Sequence, residues 1–169
     1  MVRDKDIVLR DSLGDLEGFM SLSPKSMWDL NWWVDTLPSP DRSIDHGVPN
    51  FTLTSDASLR VLNASSGTFC THGLWSEAET TYHINVLELL AVKLGLRYLL
   101  VDCRGQHIRV VSDNNTAVSY ISGMEGKSLP SDSITGTVWS WVIDRRNWLC
   151  AGHITGTSNV SADDLSHTF

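Results

Sequence analysis

The sequence predicts an α/β protein: a mixed five-stranded sheet, three antiparallel strands and then parallel ones, flanked by helices. Three observations lead there. From Phe51, apolar and polar residues alternate, and turn-forming residues cut the pattern into short segments. Residues 84–100 then form one long apolar stretch with helical spacing. Beyond it, short apolar segments at 108–112 and 148–154 alternate with helical patterns.

The elements follow in order. Ser23 before Pro24 reads as an N-cap with proline at the first helical position, opening a helix over the Trp-rich segment LSPKSMWDLNWWVDTL. That helix either packs its tryptophans on a neighbouring surface or offers them as a stacking platform for bases. Residues 38–49, with their prolines and Gly47, read as a linker, so the chain divides into a Trp-containing connection segment and linker, 1–49, and an α/β domain, 50–169. Within the domain, strands are expected at 51–55, 59–64 and 68–75, with a turn at Ser65-Ser66-Gly67. A helix follows over 84–100 with Asn85 as its cap, then a strand over 108–112 and a short helix over 114–121. Ser131 is the expected cap of a helix reaching Arg146, with Ile134, Val138, Trp141 and Val142 on its apolar face. A strand over 148–154 and a helix over 160–166 complete the pattern.

At 169 residues the chain can bury one proper core. No segment is apolar over the roughly 18 residues that a membrane helix needs, and no signal-peptide pattern is read in the charged start MVRDKDIVLRD. Cys70, Cys103 and Cys150 are few, odd in number and without CxxC spacing. They argue for a reducing compartment and against both a disulfide framework and a structural zinc site. An intracellular location, cytoplasm or nucleus, is expected, with no membrane partner. The net charge of −7 supplies no basic footprint for tight, autonomous binding of nucleic acid.

Four acids stand in contexts that ask for a reason. Asp56 ends an alternating strand in TLTSDAS, Glu88 interrupts the apolar helix in INVLELLAV, Asp113 ends a buried strand in RVVSDNNTA, and Asp163 lies in NVSADDLS. Burying a lone carboxylate is costly, and four that converge repel one another unless cations lie between them. Oxygen ligands of this kind suit Mg²⁺ or Mn²⁺. Each acid also has a plainer explanation. Asp56 could begin a turn, and Glu88 could close a capping box with Asn85. Asp113 could cap the next helix, and Asp163 with Asp164 could sit on a helix dipole. His153, ten residues before Asp163, would ordinarily be structural.

Taken in order, TSDAS, HINVLELLAV, SDNNTAVSYI and GHITGTSNVSADDLS resemble a ribonuclease H domain. The likeness is to the version carried by reverse transcriptases of DIRS-type retroelements, and it covers about residues 51–167. The segment SPKSMWDLNWWVDTL is similar to the connection that joins polymerase to nuclease in those proteins. The resemblance implies a ribonuclease H-like fold and hydrolysis of the RNA strand of an RNA–DNA hybrid. It implies two Mg²⁺ ions, replaceable by Mn²⁺, held by Asp56, Glu88, Asp113 and Asp163, with His153 assisting protonation or release of product. Asp163 is matched in preference to Asp164 because it follows Ala162 and stands four residues after Asn159. Ser58, Asn114 and Asn115 are candidate donors to the substrate's 2′-hydroxyls, which line the wide minor groove of such a hybrid.

Two departures from the family pattern have consequences. Residues 59–64, LRVLNA, replace a Gly-Trp-Gly-like step, so the first hairpin is expected to differ. Segment 122–136 carries only one base, Lys127, so the polymerase portion of the same polyprotein is the expected source of hybrid affinity. Three alternatives remain open at this level: a DDE-type transposase or integrase nuclease, an inactive tether or scaffold domain descended from such a nuclease, and a protein-interaction domain working through its tryptophans.

Overall fold

The structure is a computed structural model that describes residues 2–36 and 46–155. It falls into two compact units, Met1–Ile44 and Asp45–Phe169. The helix expected at 160–166, together with Asp163, lies outside the described residues, as does most of the expected linker.

The first unit holds α1 (Val2–Asp11) and α2 (Pro24–Thr36). Ser23 caps α2 as its position before proline implies, its hydroxyl accepting from the Ser26 N–H at 3.2 Å. Asp4 of α1 reaches the same end and accepts from the Ser23 N–H at 2.8 Å. Hydrogen bonds from the Ser26 hydroxyl, then from Ser23, hold the Asp4 carboxyl down at about 2. Helix α1 has no counterpart among the sequence expectations, because VRDKDIVLRD is too densely charged to show an apolar stripe.

The second unit is built on a five-stranded sheet in the order β3-β2-β1-β4-β5. Strands β1 (Phe51–Ala57), β2 (Val61–Ser66) and β3 (Phe69–Leu74) are joined antiparallel. Strands β4 (His107–Ser112) and β5 (Trp148–His153) add parallel to β1 and to each other. This is the mixed sheet that the sequence predicts. Strand β2 starts two residues later than expected, because Ser58 folds residues 58–61 into a turn: its hydroxyl accepts from the N–H groups of Arg60 and Val61. Gly67, at φ +60°, supplies the left-handed conformation for the tight turn into β3.

Helix α3 (Ile84–Leu99) lies across β1 and β2 and buries Leu87, Leu89, Ala91, Val92 and Leu96. Its fit to the sheet is tight at one point. A methyl group at Gly95 would come 2.8 Å from the Ala64 Cβ and 3.1 Å from Leu53. The cap of α3 is His83, whose Nδ1 accepts from the Asn85 N–H at 3.2 Å, and not the expected Asn85. Helices α4 (Asn115–Gly123) and α5 (Leu129–Asp144) follow. Helix α5 begins with Ser128 as its cap, and the expected cap, Ser131, is the third helical residue of a capping box that Ser128 opens. Trp139 of α5 donates its ring N–H to the Ile121 carbonyl at 3.0 Å, tying α5 to α4. Fully enclosed side chains such as Leu53, Leu87 and Ile108 each contribute about 2 kcal/mol through burial.

Candidate metal centre

Three elements end at one place. Asp56 is the penultimate residue of β1, Glu88 lies in the second turn of α3, and Asp113 directly follows β4. Strands β1 and β4 are parallel neighbours in the register Thr54↔Val111, so their carboxyl ends emerge side by side. Ligand oxygens of Asp56, Glu88 and Asp113 lie within 4.8 Å of one another. The sheet provides the separation between the two aspartates, and the docking of α3 sets the glutamate between them.

The plainer roles for these acids are taken by other residues. Ser58 organises the turn that Asp56 was free to make, while Asp56 stays in the strand opposite Asn63. His83 caps α3, and Glu88 turns inward, only 3 % exposed. Asn114 caps α4 by accepting from the Ala117 N–H at 2.9 Å, which leaves Asp113 outside the helix.

Glu88 carries the electrostatic signature of the cluster. Burial pushes its carboxyl up to about 8, and the neighbouring charges of Asp56 and Asp113 push in the same direction. A backbone hydrogen bond from Ala57 and the Ser112 hydroxyl, 3.5 Å from Oε2, oppose this only in part. A buried acid held between two others is an arrangement that cations relieve. The all-oxygen donor set fits a divalent ion such as Mg²⁺ or Mn²⁺.

His153, at the end of β5, stands opposite Ser112 across the parallel ladder. Its Nε2 lies 3.1 Å from the Asp113 carbonyl oxygen, which places the ring at the rim of the cluster. The candidate substrate donors have local duties. Ser58 is bound into its turn, and the Asn114 side chain both caps α4 and donates to Asn85 Oδ1 at 3.0 Å. Asn115 is the first residue of α4 and is exposed. The Asn85–Asn114 contact escaped the sequence reading; the polar Asn85 opening an apolar helix was its one visible sign.

The sheet order and the flanking helices define a ribonuclease H-like fold, with the three-acid cluster at the carboxyl ends of its central strands. No protein-family model matches the sequence, and no curated protein matches it. Solved structures do. LC11-RNase H1, solved in complex with an RNA/DNA hybrid, aligns with a TM-score of 0.59 at 16% identity, over 69% of this chain and 93% of its own. RNase H1 from the halophilic archaeon Halobacterium salinarum aligns with a TM-score of 0.54 at 14% identity, over 68% of this chain and 92% of its own. The N-terminal RNase H domain of a Mycobacterium tuberculosis protein gives 0.54 at 13% identity, over 69% and 91%. At such identities the likeness establishes the fold and leaves the chemistry to the site.

Proposed function

We propose that the chain is a metal-dependent endonuclease that hydrolyses the RNA strand of RNA–DNA hybrids, as the ribonuclease H domain of a DIRS-type retroelement reverse transcriptase. The observation that carries this reading is the meeting of Asp56, Glu88 and Asp113 within 4.8 Å on a ribonuclease H-like fold. In this reading these three acids, with Asp163 as a fourth ligand, hold the divalent cations. Bound there, a pair of Mg²⁺ ions would supply an activated water and charge stabilisation for the departing 3′ oxygen.

The chain's own groups do the rest. Glu88, buried against apolar α3 neighbours, fixes one side of the cluster so that its geometry is set before substrate arrives. With Nε2 of His153 on the Asp113 carbonyl, Nδ1 is the ring atom left to move a proton to or from product. Asn115, exposed at the start of α4 beside Asp113, is the candidate best placed to meet a 2′-hydroxyl. Residues 1–49 are assigned to the connection that precedes the nuclease, and residues 50–169 to the nuclease itself.

The test is cleavage of a labelled RNA–DNA hybrid with Mg²⁺, repeated with chelator. Cleavage should require the metal, and Asp113→Asn should lower it by about a hundredfold or more. Wild-type cleavage by Asp113→Asn would remove the metal-centre assignment.

A second reading, a tether domain with little activity of its own, draws on one feature. The connection from α4 to α5 is only residues 124–128, with Lys127 its single base, so no basic arm rises there to grip a duplex. Calorimetry separates the readings. A nuclease binds Mn²⁺ in a manner lost with Asp56→Asn, whereas a tether shows no such binding.

A further inference from the structure

At the other end of α3 a second polar site takes shape. Arg97 lies nine residues after Glu88 on this helix, about 13 Å along its axis. It lines a cavity of about 270 Å³ with Thr137, Ser140, Trp141, Asp144 and Arg145. The Arg145 guanidinium lies over the Trp141 ring, 4.6 Å from its centroid, and Trp141 is itself only 7% exposed. The Nε of Arg145 is buried and has no hydrogen-bond partner. The packing of the Arg145 side chain on Trp141 shields this nitrogen, so the cavity is met by the rest of the guanidinium.

Cations at the ends of α3 and α5 also suit the helix dipoles. A dipole accounts for the charges but does not require that both guanidinium groups line one cavity. The frame is fixed as well: the Gly105 N–H donates to the Arg145 carbonyl at 3.0 Å, and Asn147 Nδ2 donates to the Cys103 carbonyl at 3.1 Å. Two guanidinium groups on one cavity favour a phosphate, which they can grip in bidentate fashion.

The remaining groups narrow the ligand. Asp144 repels a bare anion but accepts a hydrogen bond from a sugar hydroxyl. The Thr137 and Ser140 hydroxyls donate to the carbonyls of Ser133 and Gly136, both at 2.9 Å, and keep lone pairs for such hydroxyls. The volume falls just below the roughly 300–1,000 Å³ of sites for drug-sized ligands, which suits a small phosphate ester.

We propose that this cavity binds the phosphate of a sugar phosphate or nucleotide, with Arg97 and Arg145 on the phosphate and Asp144 on a sugar hydroxyl. The site is separate from the acidic cluster and does not depend on cleavage.

The test follows the Arg145 Nε–H resonance by NMR in the presence of chelator. Ribose 5-phosphate, adenosine 5′-monophosphate, inorganic phosphate and a short single-stranded oligonucleotide are titrated in turn, with sodium chloride as the ionic-strength control. Ribose 5-phosphate should shift the signal saturably and more tightly than inorganic phosphate. Arg97→Gln, an exposed change that leaves the core intact, should weaken it about tenfold. Tighter binding of the mononucleotide marks a free nucleotide as the source, and tighter binding of the oligonucleotide marks a strand; either supports the site. No saturable shift with any phosphate, a shift that chloride reproduces, or an unchanged affinity in Arg97→Gln overturns it.

Discussion

Glu88 shows how one residue can link stability to metal. Its carboxyl titrates at about 8 in the folded chain, against an ordinary value of 4.5, so the metal-free folded state takes up a proton that the unfolded chain releases. The stability this contributes is fully present below about pH 4.5 and is lost as pH rises toward 8. With chelator present, the melting temperature should therefore fall across that interval. Glu88→Gln should flatten the slope and stabilise the chain at pH 8 by on the order of 3 kcal/mol, while abolishing Mn²⁺ binding. Thermal melts at several pH values check this; a variant no more stable than its parent at pH 8 would contradict it. At this scale the sequence was readable where burial and charge conflict. An acid among Val86, Leu87, Leu89 and Leu90 announces itself. A cap such as His83 does not, because histidine is an uncommon cap and a plausible alternative, Asn85, stood two residues away.

Among the elements, the α3–sheet contact sets the position of the glutamate. Gly95 lets the helix approach so closely that a methyl group there meets Ala64 and Leu53, neither of which has a long side chain to swing aside. Gly95→Ala gains about 1 kcal/mol in helix propensity but forces the helix outward, and overpacking costs about 1–3 kcal/mol. A net loss of roughly 1 kcal/mol is expected in urea unfolding, with weaker metal binding as Glu88 is displaced. Unchanged stability and metal affinity would show that the contact relaxes freely. Element identity was legible from periodicity for the strands and α-helices described in the second unit. Boundaries slipped where side-chain hydrogen bonds decide them, as at Ser58 before β2 and Ser128 before α5. The pocket between α3 and α5 left no mark in the sequence, since Arg97 and Arg145 come together only through helix packing.

At the level of the whole molecule, charge is the governing quantity. A net −7 opposes binding of the proposed polyanionic substrate, and the short α4–α5 connection adds only Lys127. The isolated chain should therefore show a high KM for hybrid. Fusion to a hybrid-binding module should lower KM through effective concentration and leave kcat unchanged. Steady-state kinetics of the two forms decide the matter, and a kcat that rises with fusion would place the deficit in the site and not in affinity. The charge was evident from composition, and the missing basic arm from the segment's residues. The neighbour relation between β1 and β4 was not, because parallel strands meet through a long crossover that no local pattern records.

That crossover has a consequence for the chain as it is being made. Strands β1, β2 and β3 can pair as soon as they leave the ribosome, yet Asp113 follows a strand whose partner lies more than fifty residues upstream. Until β4 docks, no growing chain can gather Asp56, Glu88 and Asp113 in one place. The cluster is thus withheld from every partial product that ends before β4 and from every misfolded form that keeps only the hairpins. Docking of β4 beside β1 is the condition for its existence.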